Sequence, residues 1–236
     1  MLVRGRSWRA SAGGYVSQVL NRAHARLPLF QKDGNYEAFE RVLGAAQPLY
    51  AVPLLAYGLL PNHWHLVLWP RGDGDLSRFV GWLTLTHTQR WQAHYPTVGA
   101  GHAYQGRCKS FPVEADAPFL TVCRYVERNA LRAGLVRRAE DGRWGSLWRS
   151  ERGAPEARAL LGDWPVARPA SWAVGVNEAQ SAAALEGLRR SVVRGCPFGA
   201  EAWVAEAAAK LQLEVTLRPR GRPKKNKKTE KARKGS

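Results

Sequence analysis

Long apolar runs are missing from this chain. No stretch approaches the roughly 18–20 apolar residues of a membrane span, and Met1-Leu2-Val3-Arg4 opens no hydrophobic signal segment. Cysteine is scarce: Cys108, Cys123 and Cys196 are odd in number and widely spaced. That excludes a disulfide framework and a zinc finger and sets a reducing cytoplasm as the expected location. Acidic residues are also in short supply, 19 against 36 Lys and Arg, for a net charge of +17. Such an excess implies a polyanionic partner, either nucleic acid or an acidic membrane surface. No internal repeat is evident.

What the chain does have is apolar bulk. Of its 236 residues 45% are hydrophobic and ten are Trp, enough for one domain of about 150 residues and an extension. Residues 218–236 hold ten Lys/Arg against one Glu, a net of +9, while the other 217 hold 26 against 18, a net of +8. The body is therefore basic without its tail.

Residues 1–14 are basic and contain Gly and Ser. Tyr15 to Asn21 alternates as a strand, and after the Asp33-Gly34-Asn35 turn signal Tyr36, Phe39, Val42 and Leu43 recur at helical spacing to about Ala46. Ala51 to Leu60 reads as a buried apolar strand. The turn signal Pro61-Asn62 then joins it to Pro61–Leu68 as an antiparallel hairpin. Asp75 is placed to cap a helix to about Tyr95, with Leu76, Phe79, Val80, Leu83 and Trp91 on its apolar face; His87 and His94 read as ordinary polar-face residues. A short strand, 107–113, carries Arg107 and Lys109. A helix, 117–133, follows, capped at or beside Asp116 and stopped at Gly134. The order strand, helix, strand, strand, helix, strand, helix predicts an α+β fold: one antiparallel sheet with helices on one face. Residues 150–176 lack clear periodicity, and two Ala-rich helices are expected at about 178–193 and 200–212.

Two stretches could carry chemistry. In Pro61-Asn62-His63-Trp64-His65-Leu66-Val67-Leu68, side chains two apart share a face of the strand. His63 and His65 then stand side by side, while Trp64, Leu66 and Leu68 pack the other way. Paired imidazoles are half of a divalent-metal site, or equally the polar face of a half-buried strand. In the helix at 117–133, Phe119, Val122, Cys123, Val126 and Ala130 form the apolar stripe. Tyr125, Asn129 and Arg132 share a second stripe rotated from it by roughly 100°. A tyrosine beside a core stripe is commonly structural, yet its hydroxyl is a competent nucleophile where a metal activates the electrophile. The Asn129 amide oxygen suits a hard cation such as Mg²⁺ or Mn²⁺.

The histidine stretch resembles the HUH motif of single-strand DNA endonucleases and transposases. Arg124–Val136 resembles the tyrosine helix of REP-associated tyrosine transposases, relatives of the single-tyrosine insertion-sequence transposases. Tyr104–Phe111 and Asn21–Phe30 resemble further parts of that family, and the likeness covers about residues 12–150. It implies a ferredoxin-like catalytic domain (1–150); beyond it the Ala-rich helices predict a helical extension (151–217) and the charge run a disordered basic tail (218–236). The resemblance also implies His63, His65 and Asn129 as ligands of a divalent metal, Mg²⁺ or Mn²⁺, and Tyr125 as nucleophile. The activity implied is cleavage and rejoining of single-stranded DNA beside hairpins through a 5′-phosphotyrosine, in a cytoplasmic, nucleoid-associated protein. Arg107, Lys109, Arg124, Arg128 and Arg132 are candidate phosphate contacts. In the tail, Pro219–Lys225 resembles an AT-hook, with Arg220, Arg222, Lys224 and Lys225 as minor-groove and backbone contacts, or else it is a polybasic tail for any polyanion. Two other readings stay open: a domesticated, non-cleaving hairpin-binding protein, and a metal hydrolase with a water nucleophile. Monomer and homodimer are both open, as is whether Tyr125 serves its own subunit's site. The implied mechanism requires the Tyr125 phenol to lie against the imidazole pair.

Overall fold

Strands β1 (Val16–Arg22), β2 (Leu54–Leu60), β3 (His63–Leu68) and β4 (Lys109–Val113) form one antiparallel sheet in the order β2-β3-β1-β4. In this computed structural model residues 12–95 and 102–218 are described. Helix α1 (Asp33–Tyr50) links β1 to β2 and α2 (Asp75–His94) links β3 to β4. The path is therefore βαββαβ, the ferredoxin-like order the sequence implied, within an α+β fold.

The pleat divides the sheet into two apolar faces. On one, Val19, Tyr57, Leu59, Trp64, Leu66 and Leu68 meet Phe39, Val42 and Leu43 of α1 and Leu76, Phe79 and Leu83 of α2. On the other, Val16, Leu55, Val67, Phe111 and Val113 meet Phe119, Val122, Cys123 and Val126 of α3 (Ala117–Glu127). Helices thus cover both faces, which corrects the expected one-sided layer. The cause is visible in β2: Leu-Leu-Ala-Tyr-Gly-Leu-Leu is buried at every position, and a strand apolar at both parities needs cover on both sides.

The helix expected over 117–133 is two. Beyond α3 the chain breaks at Arg128 (φ −78°, ψ −7°) and resumes as α4 (Asn129–Arg132). Glu127, just before the break, is held from outside: Ser146 Oγ donates to Oε1 at 2.6 Å and Trp172 Nε1 to Oε2 at 2.6 Å.

The remainder is helical: α5 (Ser146–Arg152), α6 (Pro155–Arg158), α7 (Trp172–Asn177), α8 (Ala182–Arg194), α9 (Glu201–Lys210) and α10 (Glu214–Leu217). Trp172, Val176 and Leu188 enter the second core, so the segment after residue 150 roofs the same face as α3. The chain beyond α4 also guards the sheet edges. Gly145 bridges Gly58 on β2, and Phe198 bridges Val113 on β4, which leaves fewer edge groups open to pairing with another chain.

Two local readings change. His87 is buried at 4% exposure and sits on the inner stripe of α2, four residues after Leu83. Its Nδ1 lies 2.7 Å from the Tyr104 hydroxyl, so it is no polar-face residue. Asp75 is the first residue of α2 rather than its cap; Gly74, with φ 81°, stands at that position, and Asp75 Oδ2 accepts the Gly72 N–H at 2.7 Å.

Candidate active site

The two-residue turn at Pro61-Asn62 sets the register of the histidine strand, pairing Leu60 with His63. The turn is clamped from β1 and the segment after it. Ala23 N–H donates to Asn62 O at 2.9 Å and Leu29 N–H to Pro61 O at 2.7 Å. With that register, Trp64, Leu66 and Leu68 enter the first core, and His63 and His65 project onto the face under α3. Their ring centroids are 5.2 Å apart at 74°.

Each imidazole has one nitrogen engaged by an amide side chain. His63 Nδ1–H donates to Asn62 Oδ1 at 2.7 Å, which leaves Nε2 with a free lone pair. His65 Nδ1 lies 2.8 Å from Gln18 Nε2. Burial pushes His63 down to about 4, with Arg22 and Arg132 adding to the effect. Burial likewise holds His65 well below the usual histidine range, with His63, Arg132 and Arg22 contributing. Both rings are therefore neutral at pH 7, the form in which imidazole binds a metal.

From above, Tyr125 meets His65 of this pair. Its ring stands edge-on to His65, with centroids 5.8 Å apart at 82°, and it is buried at 8% exposure. The stripe one step off the apolar face of α3 is turned toward the histidines. Arg132, on α4, lies over the Tyr125 ring at 4.5 Å and donates from Nη2 to the phenol oxygen at 3.3 Å. The same Nη2 donates to Asn129 Oδ1 in a short hydrogen bond. Asn129 is buried at 1% exposure, and its Nδ2 has no partner.

These residues fit a divalent cation. Two neutral imidazoles and a buried carboxamide oxygen are donors a divalent cation takes, once His65 Nε2 is free of its proton and Asn129 Oδ1 turns from Arg132. Among the described residues no three His, Cys, Asp or Glu side chains gather, so further donors would be amide oxygens or water.

The other candidate residues fall in three groups. Lys109 is paired across β1 with Leu20, itself opposite His65. It is exposed on the face carrying the histidines, two strand spacings or about 10 Å away. Arg107 is exposed and lines a groove with Lys109, Arg194 and Gly195. Arg124 and Arg128 are turned away from the site, toward the α7–α8 junction, where they donate to Glu178 O at 3.4 Å and Asn177 O at 3.1 Å. Arg220, Arg222, Lys224 and Lys225 lie outside the described residues.

Sequence reasoning assigned no role to Asn62, Gln18 or Arg22. Asn62 is adjacent to His63 in the turn. Gln18 carried a faint signal as a polar residue at the same strand parity as Val16 and Leu20. Arg22 is directly opposite His63 in the β1–β3 register.

Comparison with known proteins now bears on this geometry. Residues 15–129 match the family described as transposase, IS200 like, a span running from the start of β1 to Asn129. A solved REP-associated tyrosine transposase bound to a REP hairpin is similar in fold, with a TM-score of 0.51 at 16% identity, over 77% of this chain and 93% of that one. A candidate transposase from Deinococcus radiodurans R1 matches at a TM-score of 0.38 and 15% identity, over 53% of this chain and 96% of that one. No curated protein matches the chain in sequence.

Proposed function

We propose, for a chain whose residues 15–129 match the IS200-like transposase family, that it cuts and rejoins single-stranded DNA beside a hairpin, with Tyr125 as the nucleophile. The observation that carries this is the seating of the buried Tyr125 ring edge-on to His65, itself beside His63, with Asn129 and Arg132 next to the phenol. The similarity in fold to a tyrosine transposase bound to a REP hairpin supports DNA hairpins as the partner. His63, His65 and Asn129 would hold a divalent metal, Mg²⁺ or Mn²⁺. When bound, such an ion would offset the negative charge that grows on the scissile phosphate in the transition state.

The chain's own groups do the rest. The Tyr125 oxygen gives up its proton to water and attacks phosphorus, forming a phosphotyrosyl bond. The bond from phosphorus to the 3′ oxygen breaks, and that oxygen leaves and takes up a proton. The 5′ phosphate stays on the enzyme, so another strand's 3′ hydroxyl can reverse the step without an external energy source. Arg132 orients the phenol by its hydrogen bond and by its stacking on the ring. To serve as a ligand, Asn129 must present Oδ1 away from Arg132, which frees the guanidinium for the incoming phosphate. Lys109 and Arg107 extend the positive surface along the sheet toward β4.

Incubation with end-labelled single-stranded hairpin DNA and Mn²⁺ tests the reading. A covalent protein–DNA adduct is expected, absent in Tyr125→Phe and reduced at least about 100-fold in His65→Ala. Hairpin binding with no adduct under any divalent metal would instead support a non-cleaving binding protein. Cleavage that survives Tyr125→Phe would support a water nucleophile.

A further inference from the structure

Gln18 lies in the middle of β1, fully buried at 0% exposure, on the face where α3 packs. It is paired across the sheet with Val67 and Phe111, so its amide stands in apolar surroundings beside His65. Burying an amide costs free energy unless its atoms find partners. One end has a partner: Nε2 lies 2.8 Å from His65 Nδ1 and makes a longer 3.4 Å contact to Val19 O. The other end, Oε1, has none.

The histidine pair is therefore asymmetric. Asn62 presents an oxygen to Nδ1 of His63, so that ring carries its proton on Nδ1 and offers Nε2 as a lone pair. Gln18 presents a nitrogen to Nδ1 of His65. A neutral imidazole accepting there must carry its proton on Nε2, and a protonated Nε2 cannot ligate. The Gln18 oxygen is the remedy at hand. A half-turn about its last side-chain bond exchanges the two ends and forfeits only the long contact to Val19 O. We propose that Gln18 is a positioning residue for His65: its amide turns Oε1 onto Nδ1–H, which frees Nε2 of His65 to hold a divalent cation. Both histidines would then be oriented alike, each by a neighbouring carboxamide, as ligating imidazoles generally are by a group on the far nitrogen.

The inference rests on reading His65 as a metal ligand, and the test separates the two. Mn²⁺ affinity is measured by calorimetry on the full chain and on His65→Ala, Gln18→Leu and Gln18→Glu. Long-range proton–nitrogen NMR spectra report which His65 nitrogen carries the proton, with and without Mg²⁺. We expect Mg²⁺ to move that proton from Nε2 to Nδ1 in the unaltered chain. Gln18→Leu, of similar size but without an acceptor, is expected to bind Mn²⁺ about 10–100-fold more weakly. Gln18→Glu, which restores an oxygen, is expected to bind within about threefold of the unaltered chain, a rescue that a purely structural role would not produce. Equal Mn²⁺ affinity in Gln18→Leu, or equal loss in both Gln18 variants, overturns the proposal while leaving the metal reading intact. Equal affinity in His65→Ala removes the metal reading and the proposal with it. Should Gln18→Leu not fold, the unaltered chain still decides: a bare Nδ1 at saturating Mg²⁺ overturns it.

Discussion

Arg132 is the residue on which the site's separate parts converge. It donates to the Tyr125 phenol and to the Asn129 amide, and its charge contributes to keeping both histidines neutral. Replacing it by alanine removes the phenol's donor and leaves Asn129 buried with both amide ends unpaired. Adduct formation in Arg132→Ala is expected to fall about 100-fold, the size of losing one well-aimed donor. Arg132→Lys should recover only part of that, because an ammonium cannot stack flat on the ring while bonding two partners. Single-turnover kinetics on a labelled hairpin, with affinity measured in parallel, separates this loss from weakened binding.

At the scale of elements, the decisive contact is α3 lying directly on β2. A Cβ added at Gly58 would sit 2.9 Å from the Val126 carbonyl oxygen, a backbone atom that can yield only if the helix moves. Gly58→Ala is expected to cost about 1–3 kcal/mol in urea unfolding, the usual range for overpacking. It should also lower adduct yield, because Val126 follows Tyr125 and lifting α3 draws the phenol off His65. The far end of α3 is tied by Glu127 to Ser146 on α5 and Trp172 on α7. The second core needs Trp172, Val176 and Leu188 as well. A chain ended at residue 150 is therefore expected to unfold at lower urea and to bind a hydrophobic dye that the full chain excludes. Equal urea midpoints for the two chains would show that the later helices do not hold α3 in place.

For the whole molecule, acid is the weak side. His63 and His87 are pushed down to about 4, in both cases chiefly by burial, and His65 lies well below its usual range. In the unfolded chain these imidazoles take up protons near pH 6.5, whereas in the folded chain His63 and His87 refuse them until about pH 4. Unfolding therefore binds protons across that window, and stability falls as pH falls. The slope is about 1.4 kcal/mol per pH unit for each such histidine. Glu127, raised chiefly by burial, acts in the opposite sense above the ordinary carboxylate range and offsets part of the fall. Urea midpoints at pH 7.5 and 5 should differ accordingly, and by less in His87→Phe. The charge of +17 also makes affinity for DNA steeply salt-dependent. Removing residues 219–236 is expected to flatten the plot of log affinity against log salt, because nine of the tail's Lys and Arg go with them.

Much of this was legible in the one-dimensional pattern, because short-range physics writes it there. Alternation in Trp64, Leu66 and Leu68 put His63 and His65 on the opposite face, and the Pro61-Asn62 turn made the hairpin. Helical spacing put Tyr125, Asn129 and Arg132 on one side of their segment. What the pattern could not carry were contacts between distant segments. Only β1 lying beside β3 sets Gln18 against His65, across 47 residues of chain, and only the packing of α3 with Trp172 and Leu188 on the second face explains why both sheet faces are apolar. His87 looked polar for the same reason, since it becomes a core residue by bonding to Tyr104. Residue types and periodicity determine which elements form and what chemistry they can offer. Which side chains meet is decided by packing, where a buried polar group must find its partner wherever the fold brings one.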